Sequence, residues 1–104
     1  MSQVIFFLTK LKDKSEYEKY EDWVRNTDIP AARKLDGVIS YRVIRLHGPV
    51  LEGVSAPTYD YIEIIEVEDV NTYRNAVADV DPELLEQFTS FIGQMEIVSG
   101  IFVE

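Results

Sequence analysis

The stretches Val38-Ile-Ser-Tyr-Arg-Val-Ile-Arg-Leu46 and Thr58-Tyr-Asp-Tyr-Ile-Glu-Ile-Ile-Glu-Val67 decide the fold, because both are rich in β-branched and aromatic residues. The loop between them contains Gly48-Pro49, Gly53 and Pro57, residue types that are typical of turns. We therefore expect the two stretches to form a long antiparallel hairpin in the middle of the chain.

The charges of the two strands indicate a register for this hairpin. If the loop closes symmetrically, two pairs of opposite charge and two apolar pairs face each other: Arg42–Glu63, Arg45–Asp60, Tyr41–Ile64 and Val43–Ile62. Successive side chains of a strand point to opposite faces, so we expect helices to cover the face with the apolar pairs. The other face then carries a set of mixed polarity: Ser40, Arg42, Ile44, Tyr61, Glu63 and Ile65.

This face is too apolar to be exposed to water and too polar for a dry core. We therefore expect another surface of mixed polarity to cover it. Two copies of the chain that stack these faces would bury them and enclose a cavity. The Arg42–Glu63 pair in that cavity has two interpretations. It is a cross-strand salt bridge that fixes the register, or it has a functional role in substrate anchoring or in proton transfer by Glu63.

The segments on either side of the hairpin complete an alternating order of strands and helices. The apolar run Gln3–Leu11 predicts a central strand, and a final strand is expected over Glu96–Val103 with an interruption at Gly100. Three helix starts are expected from their capping chemistry: Ser15, Asp69 and Asp81. The order βαββαβ predicts one α+β domain over residues 1–104, ferredoxin-like, with a four-stranded antiparallel sheet.

A proline interrupts the first helix. Pro30 lacks an amide hydrogen and disfavours helical geometry in Ile29, so the helix is expected to stop or kink near Thr27 or Asp28. A second short helical piece is expected to have Pro30 in its first turn and to end at Gly37. Asp28 lies at the break, either as the cap of the second piece or as a carboxylate aimed at a functional site.

The composition excludes several classes of partner and cofactor. Ten basic and nineteen acidic residues give a net charge of −9, which makes nucleic acid and anionic membranes poor partners. With no cysteine, one histidine and no glycine-rich phosphate loop, the chain is expected to hold neither a metal nor a nucleotide cofactor. The short apolar start lacks a preceding basic region, and no run is long enough to span a bilayer, so we expect a cytoplasmic protein.

Two regions of the chain carry a resemblance to a known family. Trp23 through Arg42 and Tyr59-Asp-Tyr-Ile-Glu-Ile-Ile-Glu-Val-Glu-Asp69 resemble the dimeric α/β-barrel superfamily and, within it, the small RedY-like proteins of prodiginine pigment biosynthesis, HapK among them. The resemblance covers essentially the whole chain. It implies a ferredoxin-like subunit whose sheet pairs with that of a second copy, which leaves a pocket between helices and sheet for a small, often aromatic or polyketide-like, molecule. The partner expected for this chain is a small aromatic or pyrrole-type molecule.

The resemblance also bears on Asp28. Many relatives have a His-x-Pro element after the first helix, with the histidine in the pocket, and here the element reads Asp28-Ile-Pro30. A carboxylate replaces the imidazole, so a base tuned near neutrality is not implied. Asp28 could still serve in acid–base catalysis if burial raised its pKa.

What the resemblance implies is a homodimeric biosynthetic protein that assists a condensation, cyclisation or dehydration without a cofactor. Asp28 and Glu63 are the catalytic candidates, and six residues are candidates for substrate binding: Arg42, Ser40, Tyr61, Trp23, Ile44 and Ile65. Trp23 and Tyr61 have a second interpretation as core residues. Two other functions stay open, a cofactor-free monooxygenase and a non-catalytic protein that shields the intermediate or delivers it to a larger pathway enzyme.

Overall fold

The computed structural model describes residues 2–104, and its elements follow the expected order. The four strands are β1 (Gln3–Leu11), β2 (Val38–Arg45), β3 (Tyr61–Val67) and β4 (Ile92–Gly100). The four α-helices are α1 (Tyr17–Trp23), α2 (Ile29–Arg33), α3 (Val70–Ala78) and α4 (Pro82–Phe91). A 3₁₀ turn over Lys14–Glu16 precedes α1, and a π-helical turn over Val24–Asp28 joins α1 to α2.

The four strands form one antiparallel sheet in the order β2-β3-β1-β4. The central position of β1 confirms the prediction from its apolar sequence. Helical residues cover one face of the sheet, where Tyr20 and Val24 pack with Leu11 and Tyr61. A second core cluster consists of four strand residues: Ile5, Tyr41, Ile65 and Val67. Partly buried residues of α2 and α3 pack against it. The arrangement is the expected ferredoxin-like α+β fold.

Aspartate side chains cap α3, α4 and the 3₁₀ turn before α1. Asp69 and Asp81 accept hydrogen bonds from backbone N–H groups at 3.1 and 3.0 Å, which confirms both predicted caps. The predicted start at Ser15 is wrong. Asp13 is the cap there, with a hydrogen bond of 2.9 Å from the N–H of Ser15, and a 3₁₀ turn delays α1 to Tyr17.

The chain passes Pro30 without leaving helical geometry. Asp28 has φ −68° and ψ −54°, and the N–H of Ile29 bonds to the carbonyl of Val24 in the π-helical pattern. The helix is therefore widened where a stop or kink was expected, because Pro30 has no N–H with which to continue the ordinary ladder. Pro30 lies in the first turn of α2 as predicted, but α2 ends before Gly37, whose φ of +81° belongs to the turn into β2.

The register of the central hairpin differs from the prediction by one residue. Arg42 faces Ile64 and Val43 faces Glu63, so the four predicted pairs, including Arg42–Glu63, are wrong. Since the side-chain period of a strand is two, this shift turns every side chain of β3 to the face opposite the expected one. Tyr61, Glu63 and Ile65 are buried under the helices, whereas β2 keeps its expected faces.

Asp60 gives a physical reason for the shifted register. Its Oδ2 accepts a hydrogen bond of 3.0 Å from the N–H of Leu11, and its own N–H donates to the carbonyl of Thr9 at 2.8 Å. These bonds commit Asp60 to β1 instead of to Arg45. Side-chain pairing across β2 and β3 was therefore a weaker determinant than the contacts that β3 makes with β1.

The last strand begins earlier than predicted. β4 starts at Ile92, directly after α4, and ends at Gly100, whereas the expected strand ran over Glu96–Val103. A Cβ atom at Gly93 would lie 3.2 Å from the Cα of Lys12, so glycine lets the two chains approach closely at this point.

Candidate functional site

A cavity of about 340 Å³ lies between the sheet and the helices that cover it. Its walls are apolar and aromatic, with contributions from strands, helices and loops: Phe7, Trp23, Leu35, Val77, Leu84 and Phe88. Three of the polar side chains in the lining, Asp28, Tyr41 and Glu63, are hydrogen-bonded to one another. An apolar pocket in which a few polar groups converge is the common form of a small-molecule site.

The hydroxyl of Tyr41 joins the two carboxyl groups. Its Oη lies 2.5 Å from Oδ2 of Asp28 and 2.6 Å from Oε1 of Glu63. Both distances are at the short end of the range for hydrogen bonds between oxygen atoms. We refer to these three residues as the acid cluster.

The short contacts indicate how many protons the acid cluster holds. A phenol has one proton, so Tyr41 donates to only one carboxyl group. The second contact needs a proton from the other carboxyl group, which is then a neutral acid and donates to Oη. Two carboxyl groups so close together share one proton because both cannot ionise at low cost. The acid cluster therefore carries one negative charge.

Burial raises the pKa of both carboxyl groups and of a neighbouring tyrosine in the cavity wall. Burial raises the pKa of Glu63 to about 8, and the negative charge of Asp28 adds to the rise. Burial also raises the pKa of Asp28, although its hydrogen bond from Tyr41 opposes this. Burial raises the pKa of Tyr73, another residue of the lining, to about 12, with a contribution from the charge of Glu63. A carboxyl group with a pKa near 8 can donate a proton at neutral pH.

The sequence places the two carboxyl groups by different means. Glu63 lies on the inward side of β3, between Tyr61 and Ile65, where the alternation of the strand buries all three. Asp28 is the last residue of the π-helical turn, and its side chain makes no capping bond to α2. The interpretation of Asp28 as a helix cap is therefore wrong, and its carboxylate reaches Tyr41 instead.

The cavity contains half of the residues predicted for the site. Asp28, Glu63, Trp23 and Ile65 line it. The indole N–H of Trp23 donates to Oε1 of Gln87 at 2.8 Å, which holds the ring on the cavity wall.

The other predicted residues lie elsewhere. Ser40, Arg42 and Ile44 lie on the face of β2 that points away from the helices, as predicted. Glu63 lies on the opposite face, because the shifted register turns the side chains of β3 over. Tyr61 is buried, but its hydroxyl donates to Glu21 at 2.7 Å and lines a separate cavity of about 180 Å³. The prediction of these four residues as part of the same site as Glu63 is therefore wrong.

Tyr41 and Tyr73 also line the cavity, but the sequence did not predict them as candidates for the site. The predicted register placed Tyr41 under the helices but put Glu63 on the opposite face, so the pair could not be seen. With the register shifted by one residue, the alternation of β2 and β3 would have brought Tyr41 close to Glu63. Tyr73 lies on α3, and no sequence signal separates it from an ordinary core tyrosine.

Comparison with known proteins identifies the family. A model described as "REDY-like protein HapK" matches residues 3–102. The chain belongs to the HapK family of REDY-like proteins. The family assignment confirms the resemblance seen in the sequence. None of the curated proteins compared with the chain matches it.

Solved structures similar to this HapK family member share its fold at low sequence identity. HapK from Hahella chejuensis is 20% identical with a TM-score of 0.79, over 97% of this chain and 92% of that one. A DABB family protein with a ferredoxin-like fold from Mesorhizobium loti is 13% identical with a TM-score of 0.71, over 99% and 98%. A dimeric ferredoxin-like protein of unknown function from Thermobifida fusca is 15% identical with a TM-score of 0.68, over 98% and 92%.

The helices of residues 2–104 are too short or too polar to cross a bilayer.

Proposed function

We propose that the chain is a cofactor-independent biosynthetic protein that assists the condensation, cyclisation or dehydration of a pyrrole-type intermediate in prodiginine-type pigment assembly. Membership of the HapK family supports the pathway. The observation that carries the chemistry is the acid cluster in the wall of an apolar cavity, where Tyr41 lies within 2.6 Å of both carboxyl groups.

The acid cluster supplies an acid and a base in one place. In a dehydrative step Glu63 gives its proton to the leaving hydroxyl, which departs as water, and Asp28 takes the proton that the reacting nitrogen or carbon loses. The proton then returns from Asp28 to Glu63 through Tyr41. The acid cluster ends with the same two protons with which it began, so no external acid or base is consumed.

The proposal includes a homodimer that forms through the uncovered face of the sheet. This face carries an apolar row of side chains from all four strands: Phe6, Leu8, Ile44, Ile62, Ile64 and Val98. Ile44 and Val98 are 46% and 51% exposed, and an apolar face of this kind favours association. Two similar structures are described as dimeric ferredoxin-like proteins. In this arrangement each subunit keeps its own cavity on the other side of the sheet.

The function is tested by substitutions that remove proton transfer but keep side-chain shape. Asp28→Asn and Glu63→Gln are each introduced into a pigment-producing host whose own copy of the gene is deleted. We expect pigment yield to fall at least about tenfold with either variant, as for the loss of a general acid or base. Glu66→Gln, which removes a carboxylate from the other face of β3, is the matched control and should keep full yield. Full yield from both acid-cluster variants would remove the catalytic roles.

A second function, non-catalytic shielding or delivery of the intermediate, is favoured by the apolar character of the cavity walls. It predicts that the acid-cluster variants keep pigment yield while a change that fills the cavity abolishes it. Leu85→Trp serves this purpose, because Leu85 lines the cavity but is 45% exposed, so the larger ring can be accommodated in the fold. Leu51→Trp in the exposed loop is the control for an added tryptophan.

A further inference from the structure

The cavity holds a negative charge that its lining does not neutralise. The acid cluster has two protons for three acidic groups, which leaves one negative charge beside the cavity. Among the residues that the structure describes, the lining contains no lysine, arginine or histidine. Arg33 touches Tyr41 only through the backbone carbonyl, at 3.3 Å, and does not line the cavity.

An unneutralised charge next to an apolar cavity is costly, because neither water nor an opposite charge compensates it fully. When Glu63 holds the proton, the charge is on Asp28, which is partly buried beside Tyr41 and Glu63, so bulk solvent compensates it only in part. A ligand with a positive charge would remove this cost on binding. A ligand with a carboxylate or phosphate would add a second negative charge to it.

The aromatic walls point independently to the same kind of ligand. Phe7, Trp23, Tyr73 and Phe88 line the cavity together with the acid cluster. Trp23 and Phe88 are stacked with ring centroids 6.1 Å apart, and Phe7 meets Phe88 edge to face at 6.3 Å. The faces of aromatic rings attract organic cations, and tryptophan does so most strongly. Aromatic walls beside a carboxylate suit a flat or aliphatic body that carries a protonated nitrogen.

We propose that the cavity binds a small organic cation, with a protonated nitrogen against the Asp28–Tyr41–Glu63 cluster and an apolar body between the aromatic walls. The inference rests on the proposed function for its premise that the molecule bound in this cavity is the substrate, and it adds the charge of that substrate. The cation hydrogen-bonds to the carboxylate of the acid cluster, so its nitrogen lies where Asp28 and Glu63 can exchange protons with it.

Three probes with one skeleton test this proposal by titration calorimetry at pH 7. Tryptamine carries a cation, 3-ethylindole is neutral and indole-3-propionate carries an anion. We expect tryptamine to bind at least about tenfold more tightly than 3-ethylindole, as a partly desolvated cation–carboxylate and cation–π contact allows. Indole-3-propionate should bind more weakly than 3-ethylindole.

The double variant Asp28→Asn, Glu63→Gln separates the acid cluster from the charge of the whole protein. It should bind 3-ethylindole as the wild type does, which shows an intact cavity, and lose the preference for tryptamine. The control Glu66→Gln, Glu68→Gln removes two carboxylates from outside the cavity and should keep that preference.

The proposal is overturned if none of the three probes binds the wild type, if tryptamine binds no more tightly than 3-ethylindole, or if the double variant keeps the preference. These outcomes are independent of pigment yield. A strong preference for tryptamine combined with full yield from the acid variants would support the cation site and remove the proton-transfer function. Loss of yield without any preference for tryptamine would support the proton-transfer function and remove the cation site.

Discussion

The hydroxyl of Tyr41 lies 2.6 Å from Oε1 of Glu63, on neighbouring strands and on the inward face of the sheet. Tyr41 is two positions before Val43, the residue that faces Glu63 in the register, so the long phenol side chain spans the diagonal between the strands. The same oxygen lies 2.5 Å from Asp28, which belongs to the helical layer. Tyr41 therefore links the sheet to the helical layer through a buried polar contact.

Removal of this hydroxyl should destabilise the fold. Tyr41→Phe leaves the carboxyl groups of Asp28 and Glu63 without their shared partner, and the loss of a buried hydrogen bond to a charged group costs about 2 to 3 kcal/mol. The free energy of unfolding in urea measures the effect at a fixed protein concentration. Tyr17→Phe is the control, because that hydroxyl makes an exposed contact of 3.3 Å to Glu18, and its effect should stay within about 0.5 kcal/mol. Equal stability of the two variants would contradict the role given to Tyr41.

Stability should depend on pH through Glu63. Because burial raises its folded-state pKa to about 8 from an ordinary value of 4.5, the folded state binds more protons than the unfolded state between these values. The stabilising contribution is complete below pH 4.5 and is lost as pH rises towards 8. Relative to Glu63→Gln, the wild type should lose stability between about pH 5 and pH 8.

Urea unfolding at several pH values gives the two stability curves. Glu66→Gln, on the opposite face of β3, is the matched control for the loss of one carboxylate. If the curve of Glu63→Gln ran parallel to that of the wild type across this range, Glu63 would not be the protonated partner in the acid cluster.

A charge on the uncovered face of the sheet should prevent association. Ile64 lies at the centre of this face, on β3 and opposite Arg42 and Phe6 of the flanking strands. Ile64→Asp would bury a carboxylate in the proposed dimer interface, so the variant should sediment as a monomer at concentrations where the wild type is a dimer. Val50→Asp is the control, because Val50 is 97% exposed in a loop. A wild type that sediments as a monomer would remove the proposed homodimer.

Two glycines with nearly the same positive φ separate the cost of backbone strain from the cost of steric contact. Gly37 has φ +81° and a Cβ there would lie 2.9 Å from Cγ2 of Thr72, whereas Gly53 has φ +80° with no atom within 4 Å of such a Cβ. Gly53→Ala should cost about 1 kcal/mol from the backbone alone. Gly37→Ala should cost about 2 kcal/mol or more in urea unfolding. Adding Thr72→Ser to Gly37→Ala should remove the extra loss of unfolding free energy, because serine lacks Cγ2. Equal costs at the two glycines would show that the side chain of Thr72 moves aside without measurable cost.

The strands β2 and β3 were predicted correctly, but the set of residues predicted for the site was only partly right. β2 and β3 were both predicted from alternation and composition, and their bounds agree with the structure to within a few residues. The face of β3 depended on a single choice of register, which the charge pairs Arg42–Glu63 and Arg45–Asp60 decided wrongly. Cross-strand ion pairs at an exposed edge contribute little free energy. The bonds of Asp60 to β1, which no local pattern reveals, contributed more.

The sequence by itself determined the order of strands and helices, the caps at Asp69 and Asp81, the central position of β1 and the family. The elements, the caps and the place of β1 follow from short-range physics, namely side-chain periodicity, capping hydrogen bonds and a near-continuous apolar run, whereas the family follows from the resemblance of the sequence. It also picked out Asp28 and Glu63 as candidate acids. Only the tertiary structure decided that they meet, since the widened turn that aims Asp28 and the register that turns Glu63 inward both result from contacts between distant parts of the chain. A one-residue shift leaves local propensity almost unchanged but exchanges the two faces of a strand, so only the packing of the whole sheet can choose between them.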